Sequence, residues 1–429
     1  VNDAVSVLEV CLHGQSIGTL TRTAGDTTLF AFNSRYIEDE ERATLGLSFK
    51  TTEGVLRTQL QPYRTRLMPF FSNLLPEGHL RQYLAERGEV HPDREFFLLW
   101  LLGEDLPGAL RVRPAEGDVL PPAYARDVGA ESDGVRAGAG ANRALRFSLA
   151  GVQLKFSAVS KPAGGLTIPA KGVGGSWIIK LPSERFAGVP RNEYSMMTLA
   201  SKLRMNVPRV KLVDISEIEN LPSGLGQLRE REAVAVERFD HLPDGTQVHM
   251  EDFAQVFDLY AANKYKKASS MNIARVLGIE TPPEDVEEFI RRLIFNALIG
   301  NSDMHVKNWS LIYPDRRRPR LSPAYDFVCT TAYKTDGASG LKFSRSKYYK
   351  DLTLDELEHL ADRANLPERL VLDTAKETVQ RFYEVWSQER ANLPLSEDVI
   401  QAVERQLSLV PLAKPRGDSS HRARVRWSG

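Results

Sequence analysis

Cysteine is scarce: Cys11 and Cys329 are the only two in 429 residues. A pair so far apart argues against a disulfide framework, suits a reducing compartment, and is too few for a zinc site. The eight histidines show no ligand spacing beside them. No run of about 18 apolar residues occurs, so no transmembrane helix is expected. The opening VNDAVSVLEVCLHG has no basic flank leading into an apolar run, so no signal peptide is expected either. A cytoplasmic location without membrane contact is the expectation. Charge of one sign is lacking too: 56 Lys and Arg balance 56 Asp and Glu. A neutral chain is a poor candidate for strong, non-specific DNA binding of its own. Two glycine signatures are also missing. There is no GxxxxGKS/T, which excludes a Walker-type ATPase, and no GxGxxG after the first strand of a Rossmann unit. What is present is ordinary globular composition, 42% apolar and 26% charged, in a chain long enough for two or three domains.

Residues 1–113 alternate strand-like and helical runs. VSVLEVCLHG and QSIGTLTRT read as a hairpin about Gly14, and TTLFAFNSRYI and ATLGLSF as further strands. From Pro69, PFFSNLLPEGHLRQYLAERG has helical spacing of Phe71, Leu74 and Leu75, with Pro76 restarting the helix. REFFLLWLLG reads as a short buried helix closed by Gly103. By its own residues this is a small mixed domain without chemistry. Residues 114–143 are rich in Gly, Ala, Pro and Asp and poor in large apolar residues. Such a segment buries too little surface to offset its ordering entropy, so a mobile linker is expected there. Strand-like runs return over 144–240 as LRFSLAGVQLKFSAV, GLTIPA, WIIKLP and AVAVERFD, with NEYSMMTLASKLRMNV as an amphipathic helix between them. Over 241–410 the chain turns helical: DFAQVFDLYAA, PEDVEEFIRRLIFNALIG, DELEHLADRANL, VLDTAKETVQRFYEVWSQERANL and SEDVIQAVERQLSLV. Strands followed by helices predict an α+β fold with two lobes. The tail, 411–429, carries Arg416, Arg422, Arg424 and Arg426 and is expected to be disordered.

The most informative segment is ALIGNSDMHVKNWSLIY, residues 297–313. An apolar helix runs into Gly300, and Asp303, His305 and Asn308 follow. An Asp with an Asn five residues on is the spacing of a kinase catalytic loop, in which the Asp meets the acceptor hydroxyl and the Asn amide reaches a magnesium ion. Eighteen residues further, after a hairpin in SLIYPDRRRPRLSP, comes Asp326, a second candidate magnesium ligand. Either aspartate alone reads equally as a turn residue; the three together, after a buried helix, read as a site. Lys180 ends the apolar strand WIIK and has the chemistry to bind the α/β-phosphates of ATP, with Glu193 in the next helix as ion-pair partner, although a lysine at a strand edge can also snorkel. SLAGVQLK joins two strand-like runs. Gly151 permits close approach of backbone to phosphate and Lys155 adds charge, while an ordinary hairpin fits the residues as well. AVAVERFD, residues 233–240, has the form of an interlobe hinge that meets adenine through backbone groups, or of a strand ending at the surface.

These segments together resemble the HipA kinases. FFSNLLPEG and GEDLPGAL are similar to the HipA N-terminal domain. FSLAGVQLKFS, WIIKLP, NEYSMMTLASKLRMNVP, AVERFD, EDFAQVF, NALIGNSDMHVKNWSL and LSPAYDFV follow the order of the kinase core. The G-x-x-D-x-H-x-x-N loop also looks like the lipid-kinase-like branch of the kinase fold. The resemblance implies a two-lobed kinase with a mixed α/β N-terminal subdomain over 1–113, a nucleotide-binding part over 144–240 and a mainly helical lobe over 241–410. It implies Asp303 as catalytic base, Asn308 and Asp326 as Mg2+ ligands, and Lys180 on the ATP phosphates. Ala150, Gly151, Val152, Gln153, Leu154 and Lys155 would form the phosphate loop. Glu237, Arg238 and Phe239 would meet adenine through the backbone, and His305, Lys307 and Tyr325 would border the nucleotide. Ser148 matches the family's autophosphorylated serine, whose phosphate would eject the phosphate loop by like-charge repulsion; by its own residues it is a strand-end serine. The implied activity is that of a serine/threonine kinase toxin acting on an aminoacyl-tRNA synthetase, the glutamyl enzyme first, to cause growth arrest or persistence. The implied partner is a HipB-like helix-turn-helix antitoxin, with DNA reached only through it. A small-molecule kinase on the same core and a non-enzymatic co-repressor are the alternatives.

Overall fold

The structure, a computed structural model, describes residues 6–115, 154–161, 165–169, 174–222, 225, 228–334 and 336–414. Strict alternation builds the first sheet: in β3 (Thr27–Phe32), Thr28, Phe30 and Phe32 point inward while Leu29 and Ala31 face out. β3 pairs with β2 (Gln15–Thr23), which pairs with β1 (Ser6–Leu12) about the expected turn at Gly14. β4 (Tyr63–Arg64) and β5 (Leu110–Pro114) complete an antiparallel order β4-β3-β2-β1-β5. Asn33 ends β3 and caps α1 (Ser34–Glu38) by accepting from Tyr36 N–H at 2.8 Å, so TTLFAFNSRYI is half strand and half helix. ATLGLSF is not a strand. Leu47–Phe49 form a 3₁₀ turn, fixed by Leu47 N–H donating to buried Glu251 Oε1 at 2.8 Å, a contact across 204 positions that outweighs local β preference. α2 (Pro69–Ser72) is one turn that stops before Leu74 and Leu75, α3 (Gly78–Arg87) starts two residues after Pro76, and α4 (Glu95–Leu102) closes at Gly103 as expected.

The second sheet has six strands in the order β10-β7-β6-β8-β11-β9. They are β6 (Lys155–Ser160), β7 (Leu166–Thr167), β8 (Trp177–Lys180), β9 (Val210–Asp214), β10 (Ile218–Glu219) and β11 (Glu232–Glu237). Between β8 and β9 lies α5 (Val189–Lys202). Phe156, Ala158, Ile179, Ala233 and Ala235 of this sheet belong to the same buried cluster as Phe30, Phe71 and Leu99 of the first unit. The packing therefore does not divide at residue 113.

A second cluster organises the rest. β12 (His249–Asp252), β13 (Ser310–Tyr313) and β14 (Arg320–Leu321) make a small antiparallel sheet. α6 is a single turn, Phe253–Val256, held by a reciprocal Asp252–Gln255 capping box, so DFAQVFDLYAA is mostly not helical. α7 (Ser270–Glu280) is a helix that the sequence reading missed. α8 (Pro283–Ile299), α9 (Leu354–Ala364), α10 (Glu368–Glu389) and α11 (Glu397–Leu409) bury Phe289, Leu293, Leu360, Phe382 and Val403. No helix among the described residues is long and apolar enough to cross a membrane. Pro411–Ala413 form a packed 3₁₀ turn with Ala413 buried, so the folded part continues past 410.

Candidate functional site

α8 ends at Gly300, in the left-handed conformation at φ 70°. A Cβ there would lie 2.2 Å from Thr331 Oγ1, so glycine serves both the turn and the close approach. The turn delivers Asn301, which donates to Asn296 Oδ1 at 2.8 Å and to the Asp326 carbonyl at 3.2 Å. Asp326 also sits at positive φ, 60°, a conformation that aspartate tolerates but that must be held by its surroundings. Asn192 supplies part of that hold. It accepts from Cys329 N–H at 2.9 Å and donates to the Cys329 carbonyl at 3.1 Å, tying the segment after Asp326 to α5.

On this frame the expected residues converge. Lys180 Nζ donates to both Glu193 and Asp326, with the lysine and Glu193 side chains 8% and 2% exposed. Burial lowers the Lys180 ammonium, but Asp326 and Glu193 outweigh it and raise it above its usual value. Burial raises Glu193, with Lys180 opposing. Burial also raises Asp326, but Lys180 and Lys155 outweigh it and hold its carboxyl at about 2. Lys155 stands opposite Lys180 across the β6–β8 pair. Burial pushes it down to about 8 against the attraction of Asp326. Lys180 and Lys155 thus face Asp326 and Glu193 at one spot; the two cations are balanced by two carboxylates and are the groups placed to meet phosphate.

Asn308 Nδ2 donates to Asp326 Oδ2 at 3.2 Å. Asn308 Oδ1 meets the His305 backbone N–H at 3.4 Å, so bringing the amide oxygen beside Asp326 requires the amide to turn over and give up that contact. A carboxylate and an amide oxygen side by side fit Mg2+, which takes one or two carboxylates and completes its shell with phosphate and water. Among the described residues no three His, Cys, Asp or Glu side chains are placed to hold a metal by themselves.

Asp303 is exposed at the mouth of the site. The surrounding wall raises its carboxyl above the usual value; the Tyr265 hydroxyl and Lys264 oppose this, and Asp326 and Glu77 add to it. His305 is buried, which pushes its imidazole down to about 3, with Lys264 adding to the shift. It is therefore a neutral ring that brings no positive charge to a phosphate. Tyr325 donates to the Lys307 carbonyl at 3.0 Å and lies 5.9 Å from the Phe239 ring.

Two expected residues point their side chains away from this spot, Arg238 having been expected to contribute only its backbone. Lys307 Nζ reaches the Asn73 carbonyl at 3.1 Å, Asn73 Oδ1 at 2.9 Å and Asp252 at 3.3 Å, with Glu77 at 3.5 Å. Its ammonium faces the N-terminal unit, not a nucleotide, because two carboxylates are buried there. Arg238 donates its backbone N–H to the Ser176 carbonyl at 2.8 Å. Its guanidinium is buried on Asp105 at 3.1 Å and Asp240 at 2.8 Å. That pairing explains GEDLPGAL: Asp105 reaches Arg238, and Gly108, at φ 77°, has no room for a Cβ, which would lie 2.6 Å from Met250 N. Leu154 donates no side-chain chemistry; its carbonyl accepts from Leu181 N–H at 3.0 Å beside β8. Glu237 ends β11, with its carboxylate on Arg209. Ser148, Ala150, Gly151, Val152 and Gln153 lie outside the described residues, as does most of the expected linker and tail.

The sequence reading missed four neighbours of the catalytic loop. Asn73 and Glu77 come from the unit taken to lack chemistry. Lys264 Nζ bonds Glu77 Oε2 at 3.1 Å, and the Tyr265 hydroxyl donates to Asp303 Oδ1. Nothing local marks any of them, since their partners lie 38 to 234 positions away.

Residues 147–386 match the family model of the HipA-like C-terminal domain, and residues 8–113 that of the HipA N-terminal domain. A protein of Sinorhizobium fredii named putative kinase Y4dM is 54% identical over 411 residues, covering 95% of this chain and 98% of its own length. The serine/threonine-protein kinase toxin HipA of Shewanella oneidensis is 27% identical over 356 residues, 76% of each chain. Among solved structures, the Shewanella oneidensis complex of HipA, HipB and operator DNA aligns with a TM-score of 0.68 at 22% identity, over 95% of this chain and 96% of that one. At that identity the structural likeness speaks for the fold.

Proposed function

The chain belongs to the HipA family, and from that premise we propose that it is an ATP-dependent serine/threonine protein kinase of the toxin type, built as two lobes around the site described above. The observation that carries the reading is the convergence of Lys180, Glu193, Asp326 and Asn308 beside Asp303, although they come from a strand, a helix and two separate loops. The names of the relatives, putative kinase and kinase toxin, support it.

Lys180 and Lys155 set positive charge against the phosphates, and Glu193 keeps the Lys180 ammonium aimed at them. Asp326 and the Asn308 amide would hold Mg2+, which when bound offsets phosphate charge in the transition state. Asp303 orients the acceptor hydroxyl and takes its proton; a raised carboxyl pKa makes it a better base than a free aspartate. Neutral His305 packs behind it. Catalysis of this kind is positional and electrostatic. The acceptor we propose is a protein serine or threonine, with an aminoacyl-tRNA synthetase, the glutamyl enzyme first, as cytoplasmic target. Ser148 is the proposed internal acceptor. A HipB-like helix-turn-helix antitoxin is the proposed partner, in line with the HipB and DNA of the Shewanella oneidensis complex.

Adding the protein and γ-labelled ATP to a bacterial extract tests the acceptor class. Label in protein, lost with Asp303→Asn, agrees with the reading. Label confined to small molecules would replace it with a small-molecule kinase.

A further inference from the structure

We propose that Tyr265 is a positioning residue for phosphoryl transfer, its hydroxyl fixing the Asp303 carboxylate so that the other carboxylate oxygen is presented to the acceptor. The inference rests on the reading of Asp303 as the base.

Tyr265 comes from the segment between α6 and α7, not from the catalytic loop. Its hydroxyl donates to Asp303 Oδ1. Its ring stands edge-on to His305, with centroids 5.1 Å apart and planes at 73°. The segment is pinned on both sides. The Lys264 carbonyl accepts from Val306 N–H at 3.4 Å, and Lys264 Nζ lies 5.6 Å from the Tyr265 ring and 3.1 Å from Glu77 Oε2. The tyrosine is therefore docked against the loop that it serves, while 41% of its surface remains at the mouth.

An aspartate on a loop turns about two side-chain bonds, and its two oxygens are interchangeable unless something tells them apart. A hydroxyl bonded to one of them does so, and holds the other within the narrow angular range that transfer needs. The direction of the bond is settled by chemistry. Burial and the Asp303 charge both raise the phenol above its usual value, so the tyrosine stays protonated and acts as donor. The bond occupies one oxygen only, and Asp303 stays exposed on its solvent side. Tyr265 therefore orients the base without covering it.

The test uses the full chain and Tyr265→Phe, which keeps the ring on His305 and deletes only the hydroxyl. ATP turnover with water as acceptor and label transfer to the protein itself are measured at varied Mg-ATP. Affinity for a non-hydrolysable ATP analogue and the melting temperature are measured alongside. Losing a hydrogen bond to a charged group should lower kcat by about ten- to a hundredfold, with KM for ATP, analogue affinity and melting temperature unmoved. An unchanged or increased kcat, with Asp303→Asn inactive, overturns the inference and leaves the kinase reading intact. A joint loss of analogue affinity and melting temperature also overturns it, since that is what mere packing would give. Activity undiminished in Asp303→Asn overturns both.

Discussion

Lys307→Met should destabilise the protein far more than it affects nucleotide. The ammonium is 3% exposed and lies among Asn73, Glu77 and Asp252, with the two carboxylates 17% and 9% exposed. Methionine fills much the same space but leaves both carboxylates without that cation. Breaking a buried pair in this way costs about 3–5 kcal/mol. Unfolding entropy is about 2.1 cal/mol/K per residue, so a 429-residue chain loses about 1 °C per kcal/mol, and a fall in Tm of about 3–6 °C is expected. The cost also depends on pH. Burial already raises the Asp252 carboxyl, with Lys307 opposing; without the lysine it rises further. A carboxyl raised in the folded state contributes stability that is lost as pH rises, so the deficit should be larger at pH 8 than at pH 5. Thermal unfolding followed by circular dichroism at both pH values measures this, beside the affinity for an ATP analogue. A Tm within about 1 °C of wild type, with analogue affinity reduced tenfold, would refute the anchor and return Lys307 to the nucleotide.

Two further predictions concern titration. Lys155, pushed down to about 8 by burial, gains protonation when phosphates arrive. Its contribution to ATP affinity should be complete below pH 8 and fall as pH rises beyond it; Lys155→Met should flatten that fall in 1/KM for ATP, and an unchanged profile would contradict it. Glu251, buried against Leu47 and Tyr313, has its carboxyl raised to about 8 by burial, against an ordinary value near 4.5. Its stabilising effect is full below about 4.5 and is lost as pH rises through 8, so Glu251→Gln should flatten the decline of Tm between pH 5 and 8. A slope equal to wild type would remove Glu251 as its source.

Much of the site was legible because its chemistry is local. The apolar run of α8, the glycine that must end it and the Asp303–Asn308 spacing sit in one stretch of chain, and Asp326 follows a hairpin with clear turn residues. Lys180 and Glu193 were legible by polarity, a lysine ending an apolar strand and a glutamate on the buried face of the next helix. The N-terminal unit was legible as a fold, since β3 alternates strictly and the β1–β2 turn is marked by Gly14, but not as a contributor. Asn73 and Glu77 look like ordinary turn and helix-start residues, and only the chain's long-range closure brings them to Lys307 and Lys264. Leu47–Phe49 was misread for the same reason, because a distant glutamate and not local propensity decides its shape. Arg238 reads as a surface hinge residue until Asp105 is seen to reach it.

The most direct test of the account is intact-mass and phosphopeptide analysis of the purified, phosphatase-treated chain after incubation with Mg2+ and ATP, beside Asp303→Asn. The account predicts a single added phosphate on Ser148 in the wild type and none in the variant. An equal gain in both would remove Asp303 as the base, and no gain in either would contradict a protein kinase that acts on itself.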